Sequence, residues 1–271
     1  MKTKRVILVS SIIGIFIIIG IAIFIAPKTS SEPDFEIYFQ ELEGDMVANS
    51  GEEVSLNLPF GVKGNVKAFD DKCRELNNHV NLVTISGIKV MDSDIQKAYG
   101  NSNEAYYSLT VTVLNEESSS EKVTVESIGF IDGVNHKIGN LNLFFAEREK
   151  NLVDVKESTV IGHGFGIGEY QTTLKNTSEK EISITSFDCG SLNELSHKIT
   201  PLLKNRSVKP GEKITITVKF DAKKNFVGYY LSPKLTYLDS DGNAYELFTD
   251  PCQYGISIDE TEIQSILNKM K

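Results

Sequence analysis

The chain has 271 residues, and its 28 Lys and Arg against 37 Asp and Glu give a net charge of −9 at pH 7. Proteins that bind nucleic acid concentrate basic residues on one surface, so we expect no nucleic-acid partner. The chain contains no Trp, the side chain that most often stacks on sugars, which disfavours a carbohydrate-binding module.

Residues 6–26 form an uncharged stretch of 21 residues, ten of them Ile. As a helix this stretch reaches about 30 Å, the thickness of a bilayer's hydrocarbon core. We predict an uncleaved transmembrane helix; the alternative is a removed signal peptide, whose apolar region is shorter and ends in small residues, whereas Phe24 lies near this end. Because three basic residues precede the stretch and acidic residues follow it, residues 1–5 are predicted to be a cytoplasmic stub. The protein is then a single-pass protein of the cell membrane with most of its chain extracytoplasmic.

Residues 27–34 are a short polar linker, and alternating apolar and polar residues follow it. This period predicts a first β-sandwich domain over residues 35–150. Apolar residues three and four apart predict a short helix near 68–78. Residues 92–99 are polar and are expected to form an excursion between strands, and a shift in the alternation within 123–130 predicts a β-bulge.

The chain then repeats a pattern. Tyr107–Gly129 and Tyr170–Cys189 each contain a strand, an Asn, a connection rich in Ser, Glu and Lys, and a second strand. One structural unit used twice about 60 residues apart is too widely spaced for a solenoid and fits two domains. We therefore predict a second β-sandwich domain over residues 151–256, with a boundary near Lys150.

Short strands, turn signals and few helices make the predicted fold mainly β, with two antiparallel β-sandwich domains. The second domain carries a motif in which a strand, a Leu-x-Asn, a polar turn and a later Val-x-Pro-Gly-Glu follow one another, at Leu174, Asn176, Val208, Pro210, Gly211 and Glu212. This motif resembles that of the immunoglobulin-like modules of exported and anchored proteins of Gram-positive bacteria. The first domain matches it only through Leu114, Asn115 and their flanking strands. Most such modules have no assigned activity, so the resemblance implies a fold more than a function.

Residues 257–271 are predicted to form a short amphipathic C-terminal helix, because Asp259 and Glu262 form a capping box. Its apolar stripe includes three residues that we consider a candidate binding surface: Ile263, Leu267 and Met270. A helix this short is marginal alone, so the stripe must dock on another surface. That surface is either the protein's own second domain or a partner protein.

Gly occurs at every second position from 162 to 168, which in a strand leaves one face bare and places His163 and Phe165 on the other. A bare face permits close approach of an aromatic ring, another sheet or a ligand. The stretch is therefore either a packing strand or a binding surface that includes His163 and Phe165. Asp239–Asn243 has acidic spacing that suggests a calcium loop, but Gly and Glu are missing from the required positions, which favours a hairpin turn.

Three cysteines are present, and an extracytoplasmic location permits disulfides. Cys189 and Cys252 fall in the same predicted domain and form a candidate disulfide, with Cys73 left over. The alternative is three buried thiols that act as small apolar side chains.

The four histidines are scattered, and the chain has neither a metalloprotease nor a hydrolase nucleophile motif. We predict no catalytic, metal-binding or cofactor-binding residues. The first hypothesis is a non-enzymatic protein of the bacterial cell surface, which acts through a protein partner or as an envelope scaffold. The second is a ligand-binding or sensory ectodomain that works with a separate membrane protein, and an enzyme is a third and weaker alternative.

Overall fold

The computed structural model describes residues 34–49, 51, 53–76, 83–114, 122–146, 151–161, 167–190, 195–222, 227–255, 263–264 and 267–268. Residues from Phe35 to Lys271 belong to one compact unit. The predicted membrane helix, residues 6–26, lies outside the described residues. Within the described residues, no helix is both long enough and apolar enough to cross a bilayer.

The described chain is mainly β, as predicted, with one helix among its named elements. In chain order these are β1 (Phe35–Phe39), β2 (Glu41–Asn49), β3 (Glu53–Gly64), α1 (Val66–Leu76), β4 (Lys89–Gly100), β5 (Glu104–Leu114), β6 (Lys122–Gly129), β7 (Asn135–Ala146), β8 (Val153–Ile161), β9 (Ile167–Asn176), β10 (Ile182–Asp188), β11 (Leu195–Thr200), β12 (Arg206–Val208), β13 (Lys213–Ala222), β14 (Val227–Leu231), β15 (Lys234–Leu238), β16 (Ala244–Phe248) and β17 (Cys252–Tyr254).

We call residues 35–146 the N-terminal half and residues 151–255 the C-terminal half. In the N-terminal half, an antiparallel sheet of order β1-β3-β5-β4 contributes one wall of a hydrophobic core. Much of β3 and β5 alternates between buried and less buried side chains, because each of these two strands has one face on the core, and Leu56, Leu58 and Leu109 are fully buried there. Ring packing between Phe60, Phe69 and Tyr107 holds α1 against this sheet.

The C-terminal half has its own core, which lies between two four-stranded sheets of order β11-β13-β9-β8 and β12-β10-β15-β16. Every second residue of β13 points inward, and Ile214, Ile216 and Val218 are all buried. The residues of the Leu-x-Asn and Val-x-Pro-Gly-Glu motif converge here. The buried amide of Asn176 donates hydrogen bonds to the carbonyls of Lys180 (2.8 Å) and Val208 (2.9 Å), which ties one turn to the other.

A fourth sheet, of five strands, joins the two halves. Its order is β17-β14-β2-β7-β6, so two strands of the C-terminal half extend a sheet of the N-terminal half. β14 lies parallel to β2, from Val227 opposite Glu41 to Tyr230 opposite Gly44. Two cores therefore flank the predicted boundary at Lys150, while one sheet crosses it, and the division into two domains stays a prediction.

Three local expectations have definite outcomes. The bulge in the returning strand is confirmed, since the register of β6 shifts between Val125 and Ser127. The short helix is present but begins at Val66, because the side chain of Asn65 accepts a hydrogen bond from the Ala68 amide and caps it (3.1 Å). The expectation of a polar excursion at 92–99 is wrong: these residues belong to β4, an edge strand that is largely exposed on both faces.

Candidate functional site

The structure places the predicted binding residues unevenly. His163, Phe165 and Met270 lie outside the described residues. Of the four alternating glycines, Gly168 is described, and a Cβ there would lie 2.1 Å from Cε2 of Tyr254. Close approach of an aromatic ring, one of the three that a bare face permits, therefore occurs at Gly168.

Two residues of the apolar stripe of the C-terminal segment, Ile263 and Leu267, are covered by the protein itself. Ile263 and Leu267 are 2% and 0% exposed and pack on Tyr106 of β5, with Tyr99 beside them. The Gln264 amide donates a hydrogen bond to the carboxylate of Glu104 at 2.7 Å. The expectation that this stripe docks on the second domain is wrong, because its buried contacts are with β5 of the N-terminal half. For the same reason, neither Ile263 nor Leu267 is a free surface for a partner.

The residues that join the two halves form a site of buried polar contacts. The hydroxyl of Tyr230 on β14 donates a hydrogen bond to the Asn57 carbonyl at 2.6 Å and accepts one from the Asn57 amide at 2.8 Å. Tyr230 is fully buried within the N-terminal core, while its neighbour Tyr229 belongs to the C-terminal core. Burial raises the pKa of Tyr230, so its hydroxyl keeps the proton that it donates.

A second set of contacts lies at the end of β17. Gln40 is 2% exposed, and its amide donates a hydrogen bond to the Gly255 carbonyl at 2.9 Å. Its carbonyl accepts a hydrogen bond from the Tyr106 hydroxyl at 3.2 Å. Tyr106 also packs against Ile263 and Leu267 of the C-terminal segment. One set of buried contacts therefore connects β17, the linker between β1 and β2, and that segment. Beyond the other end of the β14–β2 pairing, the Val47 amide donates a hydrogen bond to the Ser232 hydroxyl at 2.7 Å.

The sequence carries one signal of this junction, a glycine inside β2 that was not among the predicted site residues. Gly44 lies inside β2 with a φ of +134°, and a Cβ there would lie 1.9 Å from the Tyr230 carbonyl oxygen. A glycine inside a strand indicates close approach of another backbone. Only a residue without a side chain allows β14 to lie this near to β2.

A polar cluster fixes α1 on the sheet of the N-terminal half. The carboxylate of Asp70 accepts hydrogen bonds from the Tyr107 hydroxyl at 2.6 Å and from the Lys97 ammonium at 3.1 Å. Burial, followed by the hydrogen bond to Asp70, raises the pKa of Tyr107. The Asp70 and Lys97 side chains are 27% and 38% exposed, so solvent weakens their ion pair and the cluster is structural in character.

The described residues hold little that suits catalysis. Nε2 of His136 lies 2.8 Å from a carboxylate oxygen of Asp132, and the ring is enclosed by Phe39 and Phe130. The structure holds Cys73, Cys189 and Cys252 as free, buried thiols, so the candidate Cys189–Cys252 disulfide is not formed in it. Burial raises the pKa of Cys73 and of Cys189 to about 12 and raises that of Cys252, which keeps all three thiols protonated and unreactive at neutral pH. Among the described residues, no group of three or more His, Cys, Asp or Glu is placed to bind a metal ion.

The acidic turn at Asp239 forms a hairpin between β15 and β16. Its carboxylate accepts hydrogen bonds from the backbone amides of Asp241 and Asn243, the Asn243 side chain and the Tyr245 hydroxyl. These bonds lower the pKa of Asp239 to about 2, the Asn243 side chain contributing most. Because both carboxylate oxygens are used within the turn, the geometry favours the hairpin over a calcium loop.

Comparisons with known proteins are uninformative in sequence and weak in structure. No family model and no curated protein matches the chain. The VesB protease of Vibrio cholerae aligns with 63% of this chain and 64% of its own, so the chain spans less than two thirds of that protein, at 13% identity and a TM-score of 0.29. Fibronectin(III)-like modules of Clostridium thermocellum CbhA align with 82% of this chain and 94% of theirs at 8% identity and a TM-score of 0.21.

The Escherichia coli adhesin FdeC aligns with 84% of this chain and 65% of its own at 12% identity and a TM-score of 0.18. Similarities of this size establish neither a family nor an activity for this chain. The description of its function therefore depends on its own residues.

Proposed function

We propose that this protein is a single-pass, extracytoplasmic protein whose two immunoglobulin-like halves act together in protein–protein interaction or cell-envelope scaffolding. The uncharged stretch at residues 6–26 would hold it in the membrane. The rest of the chain would lie outside, and the work would be done by its surfaces rather than by a catalytic centre.

The observation that supports a scaffold is the sheet of order β17-β14-β2-β7-β6. Two sandwiches joined only by a peptide linker would move independently, which is the default for neighbouring domains. Here β14 pairs with β2 over four residues, and Tyr230 satisfies two backbone groups of β3. Such a joint fixes the orientation of one half relative to the other, as a spacer or a presenting surface requires.

The buried thiols make the predicted membrane topology testable. Because Cys73, Cys189 and Cys252 are all buried, a membrane-impermeant maleimide should leave the native wild-type protein unlabelled. The variant Ser240→Cys, in the exposed turn between β15 and β16, should be labelled on intact cells or spheroplasts. Lys4→Cys should be labelled only after the membrane is permeabilised. Labelling of Lys4→Cys without permeabilisation, or protection of Ser240→Cys, would contradict the proposed orientation.

The interaction role is tested by photo-crosslinking in native membranes. Val134, Leu202 and Phe248 are large apolar side chains that are 52%, 93% and 39% exposed, so each can be replaced by a photoreactive phenylalanine with little effect on the cores. A specific partner should give one adduct of constant mass from some of these positions and not from others. Crosslinks within the chain alone, or equal smears from all positions, would contradict an interaction role.

The ligand-binding alternative depends on His163 and Phe165. Both residues lie outside the described residues, so this alternative stays a prediction. A ligand-induced change in melting temperature that is lost in a His163→Ala variant would favour it over the scaffold.

A further inference from the structure

Two of the three thiols lie in one core. Cys189 directly follows β10 and Cys252 begins β17, and their side chains are 3% and 2% exposed. Both belong to the hydrophobic core of the C-terminal half, whereas Cys73, a residue of α1, belongs to the core of the N-terminal half. Cys73 is thus separated from the other two by the fold.

The strand registers bring Cys189 and Cys252 to the same corner. Cys252 lies opposite Leu231, the last residue of β14, and Asp188 lies opposite Lys234, the first residue of β15. Only Ser232 and Pro233 separate those two positions. The Thr249 amide donates a hydrogen bond to the Pro233 carbonyl at 2.8 Å. This bond holds the segment that precedes Cys252 at the same corner.

Electrostatics agree with this placement. Burial is the main cause of the raised pKa of Cys252, and the second cause is the charge that Cys189 would carry as a thiolate. Two thiols influence each other in this way only when they are neighbours, because charge interactions weaken with distance.

We propose that Cys189 and Cys252 form a disulfide that ties the end of β10 to β17 when the protein folds in an oxidising compartment. The oxidising compartment in this proposal rests on the proposed extracytoplasmic location of the protein. β17 pairs with β14, β14 pairs with β2, and Gly255 accepts the hydrogen bond of Gln40. The disulfide therefore anchors the outer strand of the shared sheet to the central strands of the C-terminal core, and it closes a loop of more than 60 residues in the unfolded chain.

The chemistry requires an external disulfide as oxidant, such as that of a thiol oxidoreductase or oxidised glutathione. The thiolate of one cysteine attacks this disulfide and releases one thiol. The thiolate of the other cysteine then displaces the second thiolate, so that two cysteine thiols are oxidised to one disulfide, the external disulfide is reduced, and the two cysteine protons end on the two released thiols. In the folded protein both thiols are buried and protonated, so the bond forms during folding, while they are still exposed.

The test is a count of thiols after refolding. The full chain in detergent is denatured, reduced, refolded with a mixture of oxidised and reduced glutathione, denatured again and alkylated with iodoacetamide. Intact mass should show one alkylated thiol, Cys73, and the digest should contain a peptide pair linked through Cys189 and Cys252 that separates on reduction. Refolding with glutathione should also raise the melting midpoint by about 5–10 °C over refolding under reducing conditions.

Two variants act as controls. Cys73→Ala should form the same bond and leave no thiol to alkylate, whereas Cys252→Ala should leave two. Because thiols are counted in the denatured chain, the wild-type result decides the matter even where a variant folds poorly. Three alkylated thiols, glutathione left on Cys189 or Cys252, or any link to Cys73 would overturn the proposal. Failure here is distinct from failure of the topology experiment, since refolding in solution does not depend on the location of the protein.

Discussion

The hydroxyl of Tyr230 occupies both the donor and the acceptor of one backbone residue, Asn57, which lies 173 positions earlier in the chain. β1 pairs with β3 only from Phe60 onward, so the outward-facing amide and carbonyl of Asn57 lie beyond the end of that ladder. A side chain from the C-terminal half thus completes a strand of the N-terminal half. The ring of Tyr230 at the same time fills part of the N-terminal core.

Tyr230→Phe should destabilise the protein. The ring still fills the core, but the amide and the carbonyl of Asn57 lose their partner in a buried place, which costs about 1–3 kcal/mol. Urea unfolding followed by far-UV circular dichroism measures this loss. Tyr38→Phe is the matched control, because the Tyr38 hydroxyl contacts Glu36 on the exposed surface, and it should change the free energy of unfolding by less than about 0.5 kcal/mol. Equal effects of the two variants would show that the Tyr230 hydroxyl does not hold the joint.

Asn176→Ala should also be destabilising, by about 2 kcal/mol. Asn176 is 1% exposed, and its loss leaves the carbonyls of Lys180 and Val208 without the amide that binds them. Urea unfolding again provides the measurement. Asn142→Ala serves as the control, since the Asn142 amide contacts Asp45 on the exposed surface. If Asn176→Ala lowers the free energy of unfolding no more than Asn142→Ala does, the Asn176 side chain does not hold the two turns together.

The strands that the sequence predicted well are those with one face on a core. β13 and β15 show strict alternation because each buries every second side chain, and β16 alternates between half-buried and exposed side chains. β4 escaped detection because an edge strand that exposes both faces has no such period. β14 escaped for the opposite reason: all five of its residues are buried, so its sequence shows no alternation either.

Apart from the glycine at position 44, the sequence carries no sign of the junction, for a different reason. Its contacts join residues far apart in the chain, such as Gln40 with Gly255, and local periodicity carries no information about such pairs. The amphipathic C-terminal stripe shows the same limit. Its spacing predicted that Ile263 and Leu267 must dock, but the surface they use, Tyr106, lies about 160 residues earlier. The Leu-x-Asn and Val-x-Pro-Gly-Glu motif was visible in the sequence because its residues, among them Asn176 and Glu212, belong to a recurring pattern of turns.

The hairpin turn predicts a specific dependence of stability on pH. The pKa of Asp239 is lowered to about 2 in the folded state, against about 3.9 in an unfolded chain. Its contribution to stability is therefore complete above about pH 5 and is lost as the pH falls toward 2. Asp239→Asn should lower the free energy of unfolding at pH 6, and the difference from wild type should shrink as the pH falls to 3.

Urea unfolding at a series of pH values measures this difference. Ser240→Ala, at the neighbouring exposed position, should run parallel to wild type across the series. A gap between Asp239→Asn and wild type that stays constant from pH 6 to pH 3 would contradict the role given to the ionised carboxylate. Added calcium or a chelator should leave the melting temperature unchanged, because the turn itself supplies the partners of both oxygens.

We expect the Leu267 side chain to hold the C-terminal segment on Tyr106. This side chain is fully buried against Tyr106 and Ile263, and Leu267→Ala removes contacts that cost about 2–4 kcal/mol when lost from a packed site. A short helix without its docking surface is marginal, so the loss should appear as local detachment rather than global unfolding. Limited proteolysis followed by intact mass should show cleavage beyond Gly255 accelerated at least about tenfold, since about 1.4 kcal/mol corresponds to a factor of ten.

Asn268→Ala is the matched control, because Asn268 is exposed and adjacent. The Asn268→Ala variant should be cleaved at the wild-type rate. The urea midpoints of Asn268→Ala and Leu267→Ala should both stay close to that of wild type. If Leu267→Ala and Asn268→Ala are cleaved equally fast, Leu267 does not hold the segment on Tyr106. If instead Leu267→Ala lowers the urea midpoint as far as Tyr230→Phe does, the C-terminal segment is part of the joint between the two halves. The coupling would then pass through the hydrogen bonds from Tyr106 to Gln40 and from Gln40 to Gly255.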